Sequence, residues 1–124
     1  GFMILQYTTA AIASENKGLC FPASADSIPT SLGQEDHVSM GANAATKAYI
    51  IINNVEKILA IELLNAAQAF EFRRPLKSSA FIEELFESYR QHVPFVEDDT
   101  VMYKLMHASR DFIQGLEIDI PDEL

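Results

Sequence analysis

The sequence predicts an all-α protein: an elongated helical bundle with one long central helix, forming part of a larger oligomeric helical assembly. Three observations predict it. Apolar residues recur at helical spacing without a break from about residue 37 to 73. No segment reads convincingly as a strand, and there are no internal repeats or low-complexity tracts. The composition, 48% hydrophobic and 22% charged, is that of a folded chain, yet 124 residues cannot cover so long a rod on all sides.

The first helix is expected from Phe2 to about Asn16. Phe2, Leu5, Thr9 and Ile12 share one side, and Lys17-Gly18 supplies a stop, a cation in the last turn followed by a residue free to adopt positive φ. A polar loop over 18–36 follows. Pro22 and Pro29 push Phe21 and Ile28 out of helical geometry. Ser24, Asp26, Ser27, Thr30 and Ser31 can bond loop backbone groups with their side chains. A loop this long without structure of its own is uncommon and usually functional.

The long helix is expected over about 37–73. Val38, Ala42, Ala45, Tyr49, Ile52, Glu56, Leu59, Leu63, Ala66 and Phe70 alternate steps of four and three, a heptad stripe with one charged member, Glu56. A second stripe through Ile51, Val55, Ile58 and Ile61 lies on a neighbouring face, so the helix should be buried on more than one side. At about 1.5 Å per residue it is roughly 50 Å long. Arg73-Arg74-Pro75 end it, with cations at the negative end of the dipole.

Two shorter helices follow, about 79–93 and 98–115. Ser79 is the expected N-cap of the first, with Glu83 in its opening turn and Phe81, Leu85, Tyr89 and Val93 on its apolar face. Asp98 or Asp99 is expected to cap the second, which carries Val101, Met102, Leu105, Ala108 and Phe112 and stops at Gly115. Residues 117–124 read as an acidic tail.

A net charge of −9 argues against nucleic acid and anionic membranes as partners. Apolar runs are interrupted by Asn, Glu and Gln, which excludes a helical membrane span. The single cysteine, Cys20, has no internal partner, which fits a reducing cytoplasm, and no secretory leader is visible. The chain opens Gly1-Phe2-Met3 inside an apolar helical pattern, so the expectation is a piece of a larger protein or a processed product.

Few residues have chemistry-bearing spacing. Glu35 and Asp36 precede a helix, and on spacing alone they read as carboxylates stabilised by the helix dipole, about 0.3–1 kcal/mol each. Gln34 and His37 flank them. A histidine in a first helical turn is more often a structural hydrogen-bonder than a base, and His92 and His107 have no acidic partner at useful spacing. No His, Cys, Asp or Glu cluster has metal-ligand spacing, and there is no glycine-rich phosphate loop. Met3 alone reads as packing near a helix end.

Ser14–Lys17 (SENK), Phe21–Ser31 (FPASADSIPTS) and Gln34–Gly41 (QEDHVSMG), in that order, resemble the C-terminal part of the aromatic amino-acid ammonia-lyase family, in its histidine branch. The resemblance extends from Gly1 to about Arg73 and is much looser from Pro75 onward. It implies a parent enzyme that eliminates ammonia from L-histidine to give trans-urocanate, the first step of histidine degradation. It also implies a homotetramer joined through the long helices, with each active site drawing on several subunits and on the N-terminal part of the same enzyme.

By the same resemblance Glu35 lines the active site, holds the substrate imidazole and is a candidate proton acceptor. A carboxylate suits this task because it accepts the ring N–H and stabilises imidazolium. The phenylalanine branch has Asn-Gln-Asp here, and an unpaired carboxylate against a phenyl ring would be costly. Met3 lies at a pocket-lining position where the plant phenylalanine branch has lysine. Gln34 either orients Glu35 by a hydrogen bond or bonds the loop backbone.

The family's electrophile is methylidene-imidazolone, formed from an internal Ala-Ser-Gly. Here Ala13-Ser14, Ala23-Ser24 and Ala108-Ser109 are followed by Glu15, Ala25 and Arg110, so none can form it. The family's catalytic tyrosines and carboxylate-binding arginine also lie upstream of this segment, so the chain by itself is expected to be inactive. Two alternatives stay open. One is a phenylalanine or tyrosine ammonia-lyase or aminomutase of the same family, against which Glu35 argues. The other is a non-catalytic helical oligomerisation module.

Overall fold

A computed structural model describes residues 1–25, 27–34 and 38–117. The order is α1 (Met3–Leu19), two 3-10 turns (Ala23–Ala25 and Ser31–Gly33), α2 (Gly41–Glu71), α3 (Ala80–His92) and α4 (Met102–Gln114), with no β-strand among the described residues. The all-α architecture around one long helix is therefore observed.

α2 has 31 residues, about 46 Å of helix at 1.5 Å per residue. It is the spine against which α1 and α4 pack, while α3 closes on α4. α1 runs antiparallel to α2: Leu5 faces Ile61 across a shared cleft, and Glu15 and Asn16 both accept from Asn54 Nδ2, at 2.7 and 2.9 Å. The core joins Leu5, Ile61, Leu64 and Ala67 to Tyr89, Val93, Met102 and Phe112. It occupies the C-terminal half of α2, where all three other helices converge.

Polar side chains fix the register of this core. The Tyr89 hydroxyl donates to Ser109 Oγ (3.0 Å), and the Ser109 hydroxyl donates to the Ala60 carbonyl (2.7 Å), joining α3, α4 and α2 through fully buried groups. Burial pushes the Tyr89 phenol above its ordinary value, so it stays a neutral donor, although its bond to Ser109 pulls the other way. Gln68 pairs with the Val96 backbone in both directions, at 2.8 and 3.1 Å. Arg90 donates to the carbonyls of Ala67 (2.8 Å) and Val93 (3.2 Å), tying the end of α3 to α2. Burial lowers the Arg90 pKa, and nearby Glu71 opposes that shift.

Several boundaries differ from the sequence expectation. α1 continues through Gly18 to Leu19 and closes where the Cys20 amide reaches the carbonyls of Asn16 and Lys17. Gly18 is not among the residues with positive φ, so it is an ordinary helical residue and gives no stop. α2 starts at Gly41 instead of near 37, because Met40 is left-handed (φ 50°) and breaks the pattern that Val38 begins. The N-cap of α4 is Val101 with no side-chain bond, so neither Asp98 nor Asp99 caps it.

At α3 the Ser79 hydroxyl accepts from the Ile82 amide (3.4 Å). Glu83 reaches back to accept from the Ser78 amide and from Arg74, both at 2.7 Å. Phe81 and Val101 lie on exposed positions outside the apolar faces assigned to them. Of the acidic tail, residues 118–124 lie outside the described residues.

The heptad stripe is largely not the core of this chain. Tyr49 is 70% exposed and Ile52 59%, Leu59 is also exposed, and so is Val55 of the second stripe. The buried line on α2 runs instead through Asn54, Ala60, Ile61, Leu64, Ala67 and Gln68. Its N-terminal half thus presents a continuous apolar face to solvent in the lone chain. Glu56, the charged member of the stripe, turns towards α4, where it accepts from Arg110 (3.2 Å) and Gln114 (2.7 Å).

Candidate functional site in the loop between α1 and α2

Among the described residues, side-chain hydrogen bonds fasten the loop from Cys20 to Met40 at two places. Near its start, the Phe21 carbonyl accepts from Lys47 Nζ on α2, and the same ammonium lies 5.7 Å from the centre of the Phe21 ring. Near its end, the Val38 amide donates to Ser27 Oγ at 3.2 Å, joining residues eleven positions apart. Between the first fastening and α2 lies a cleft of about 570 Å³, walled by Phe21, Pro22, Ile28, Met40, Asn43 and Lys47.

The intervening chain makes an unusual turn. The Gly33 amide donates to the Thr30 carbonyl (3.0 Å) and the Gln34 amide to the Ser31 carbonyl (3.1 Å). Ser31 (φ 51°), Leu32 (φ 54°) and Gly33 (φ 82°) are consecutive left-handed residues. Glycine adopts this region freely, whereas a side-chain-bearing residue held there costs roughly 1–3 kcal/mol. Leu32 is fully exposed, so its side chain recovers none of that cost within this chain. With Met40, every described residue of positive φ falls in this one loop. Such conformations concentrate where surrounding structure holds the backbone for a purpose.

The structure places the sequence-predicted site residues as follows. Gln34 closes the left-handed turn through its backbone amide and is exposed. Glu35, with Asp36 and His37, lies outside the described residues. Met3 opens α1 and is 72% exposed. α1 has 17 residues and spans about 25 Å, and its start sits beside Ile61 and Glu62, whereas the loop is fastened at Lys47. One chain therefore holds Met3 and the loop's anchorage at opposite ends of α1.

Sequence reasoning did not single out Lys47 or the Ser27–Val38 bond. Ser27 was legible as one of several loop hydroxyls, but its partner was not. Lys47, a cation interrupting the small residues of the first turns of α2, was the available signal for the other fastening.

His92 Nδ1 lies 3.0 Å from the Ser88 carbonyl and His107 stacks edge-on against Tyr103, local roles that leave both away from the loop. Among the described residues no three His, Cys, Asp or Glu side chains converge as metal ligands. The Ala-Ser pairs lie in α1, in the first 3-10 turn and in α4. In α4 the Ser109 hydroxyl is committed to Tyr89 and Ala60.

A family model described as aromatic amino acid lyase matches residues 1–91, which include Met3 and the whole loop. A histidine ammonia-lyase from Anaeromyxobacter sp. (strain K) is 48% identical over 120 residues, covering 95% of this chain and 24% of that protein. One from Natranaerobius thermophilus is 54% identical over 99 residues, covering 80% of this chain and 20% of that protein. The crystal structure of histidine ammonia-lyase from Trypanosoma cruzi superposes with a TM-score of 0.89 at 46% identity, covering 92% of this chain and 23% of that one. The chain spans a fifth to a quarter of the length of these relatives.

Proposed function

Because the chain belongs to the aromatic amino acid lyase family, we propose that it forms the C-terminal helical part of a histidine ammonia-lyase, which eliminates ammonia from L-histidine to give trans-urocanate. The observation that carries the histidine assignment is the acid at position 35 in Gln34-Glu35-Asp36-His37, inside the span that matches the family. Glu35 accepts the imidazole N–H and stabilises the ring when it is protonated. Gln34 orients Glu35 or the loop backbone, and Met3 lines the wall around the ring.

The residues present do not fit the family's methylidene-imidazolone. None of the Ala-Ser pairs is followed by glycine, and Ser109 is buried and already hydrogen-bonded. The group belongs to the N-terminal part of the enzyme, and this chain contributes binding and scaffold.

The assembly is a homotetramer in which the exposed apolar face of α2 packs against other copies. The exposure of Tyr49, Ile52, Val55 and Leu59 supports this, since a soluble chain rarely leaves so long an apolar stripe uncovered. The separation of Met3 from the loop along α1 supports a site assembled from more than one chain. The free, exposed Cys20 is consistent with a cytoplasmic setting. No described helix is long and apolar enough to cross a membrane.

The test is the ultraviolet absorbance of the full-length enzyme mixed separately with histidine, phenylalanine and tyrosine. Urocanate from histidine alone is expected. Cinnamate or coumarate instead keeps the family and overturns the argument from Glu35. No product from any substrate favours a non-catalytic scaffold.

A further inference from the structure

We propose that the pocket between α1, α2 and α4 binds a small organic anion, a carboxylate carried on a body of about one ring. The proposal is independent of the histidine reading and of the loop between α1 and α2.

The pocket has a volume of about 300 Å³, and its lining includes Ile12 of α1, Lys57 of α2, and Tyr103, Met106, His107 and Arg110 of α4. Its charge runs against that of the molecule. The chain has 18 Asp and Glu against 9 Lys and Arg, yet three of the lining side chains are basic and none is acidic. A cleft lined by one sign of charge focuses its field and concentrates the opposite ion. His107 and Arg110 are three residues apart on α4 and so share a face, and Lys57 reaches the same pocket from α2.

The donors are only partly used. Lys57 Nζ donates to Asn54 Oδ1 at 3.3 Å, which leaves two of its three protons. Arg110 commits Nε and Nη2 to Glu56 and Asn53, and its Nη1 holds no hydrogen bond among the described residues. The His107 ring lies edge-on to Tyr103, with centroids 6.2 Å apart. Glu56 offsets the charge of Arg110 at 3.2 Å, so Lys57 supplies most of the attraction.

The interior selects the rest of the ligand. Ile12 and Met106 are half-buried, whereas Lys57 and His107 are exposed, so hydrocarbon lies deeper and the cations stand at the mouth. An inorganic ion satisfies the mouth alone. A carboxylate on an apolar body satisfies both, with the Tyr103 ring and the Met106 thioether as contacts for a planar group. Ligand pockets run from about 300 to 1,000 Å³, and a volume at the lower end suits a single ring.

The experiment is calorimetric titration of the full-length enzyme with benzoate, inorganic phosphate and benzylamine. Wild type, Lys57→Met and Lys57→Arg are compared, with thermal melting and subunit assembly measured for each. Benzoate should bind wild type, and phosphate and benzylamine should bind at least about tenfold more weakly. Lys57→Met keeps the length of the side chain and removes its charge, so it should weaken benzoate by about tenfold or more. Melting and assembly should not change, and Lys57→Arg should keep most of the affinity.

A wild-type enzyme that binds no benzoate overturns the proposal, as when another part of the enzyme fills the pocket. So does equal affinity in wild type and Lys57→Met. Phosphate as tight as benzoate leaves a simple anion site, and benzylamine as tight leaves a simple apolar one; either overturns the ligand class. Weakened binding in a Lys57→Met enzyme that melts early or dissociates assigns Lys57 to the scaffold and overturns the site.

Discussion

Glu56 sits within the apolar stripe of α2 and accepts from Arg110 on α4 at 3.2 Å. Arg110 extends the connection to Asn53 one turn earlier (2.8 Å). The charge that breaks the heptad pattern is thus a second polar tie between α4 and the spine, beside the buried Ser109–Ala60 bond.

Arg110→Ala should cost about 1 kcal/mol of stability, below the roughly 1.5–3 kcal/mol of well-buried bonds to charged groups because both side chains remain partly in water. Urea unfolding of the full-length protein tests it, and Glu56→Gln should cost less because the amide oxygen still accepts. Equal midpoints for wild type and Arg110→Ala would show that packing alone places α4.

Ser109→Ala removes both bonds of a fully buried hydroxyl and leaves the Tyr89 phenol without its acceptor. The expected loss is about 1–3 kcal/mol. Adding Tyr89→Phe to Ser109→Ala should recover part of that loss by removing the stranded hydroxyl. A double variant less stable than Ser109→Ala counts against the chain of bonds as drawn.

The Ser78 amide, and then Arg74, hold the Glu83 carboxyl below its ordinary value of 4.5. Its folded pKa is lower than its unfolded one, so the unfolded state binds the proton first as pH falls. The stabilisation is therefore fully present above about the ordinary glutamate value and is lost as pH falls through the lowered folded value. Glu83→Gln should be less stable than wild type near neutrality, and the gap should close in acid. A gap independent of pH would assign the effect to packing at the start of α3.

The isolated chain should form no urocanate and should self-associate through α2. Sedimentation of the purified chain should show large species, and Ile52→Glu with Leu59→Glu should reduce them. A monodisperse monomer that is unaffected by both substitutions would remove the exposed stripe as an interface.

The helices were legible because each repeats an apolar pattern at the helical period, and the family match was legible in the loop motifs. Which face of α2 is buried was not legible. Both stripes are apolar, yet the buried line follows neither, sharing only Ile61 with them, and a sequence does not state which apolar positions meet this chain and which meet another. The end of α1 was misplaced because Gly18 carries no mark distinguishing a helical glycine from a terminating one. Met40 gave no warning of left-handed backbone, since methionine has no preference for it. At the site, Gln34, Glu35 and Met3 were named from resemblance, whereas the bond between Ser27 and Val38 depends on a three-dimensional return of the chain that no local pattern records.

The length of α1 carries a genetic consequence. It sets Met3 apart from the loop's anchorage, so in the proposed assembly a complete site takes these two parts from different chains. Two alleles, one with the pocket blocked by a bulky charged residue at Met3 and the other lacking the carboxylate of Glu35, would then complement each other when co-expressed. Mixed oligomers would contain some sites in which both residues are intact, and a heterozygote would retain activity that neither homozygote has.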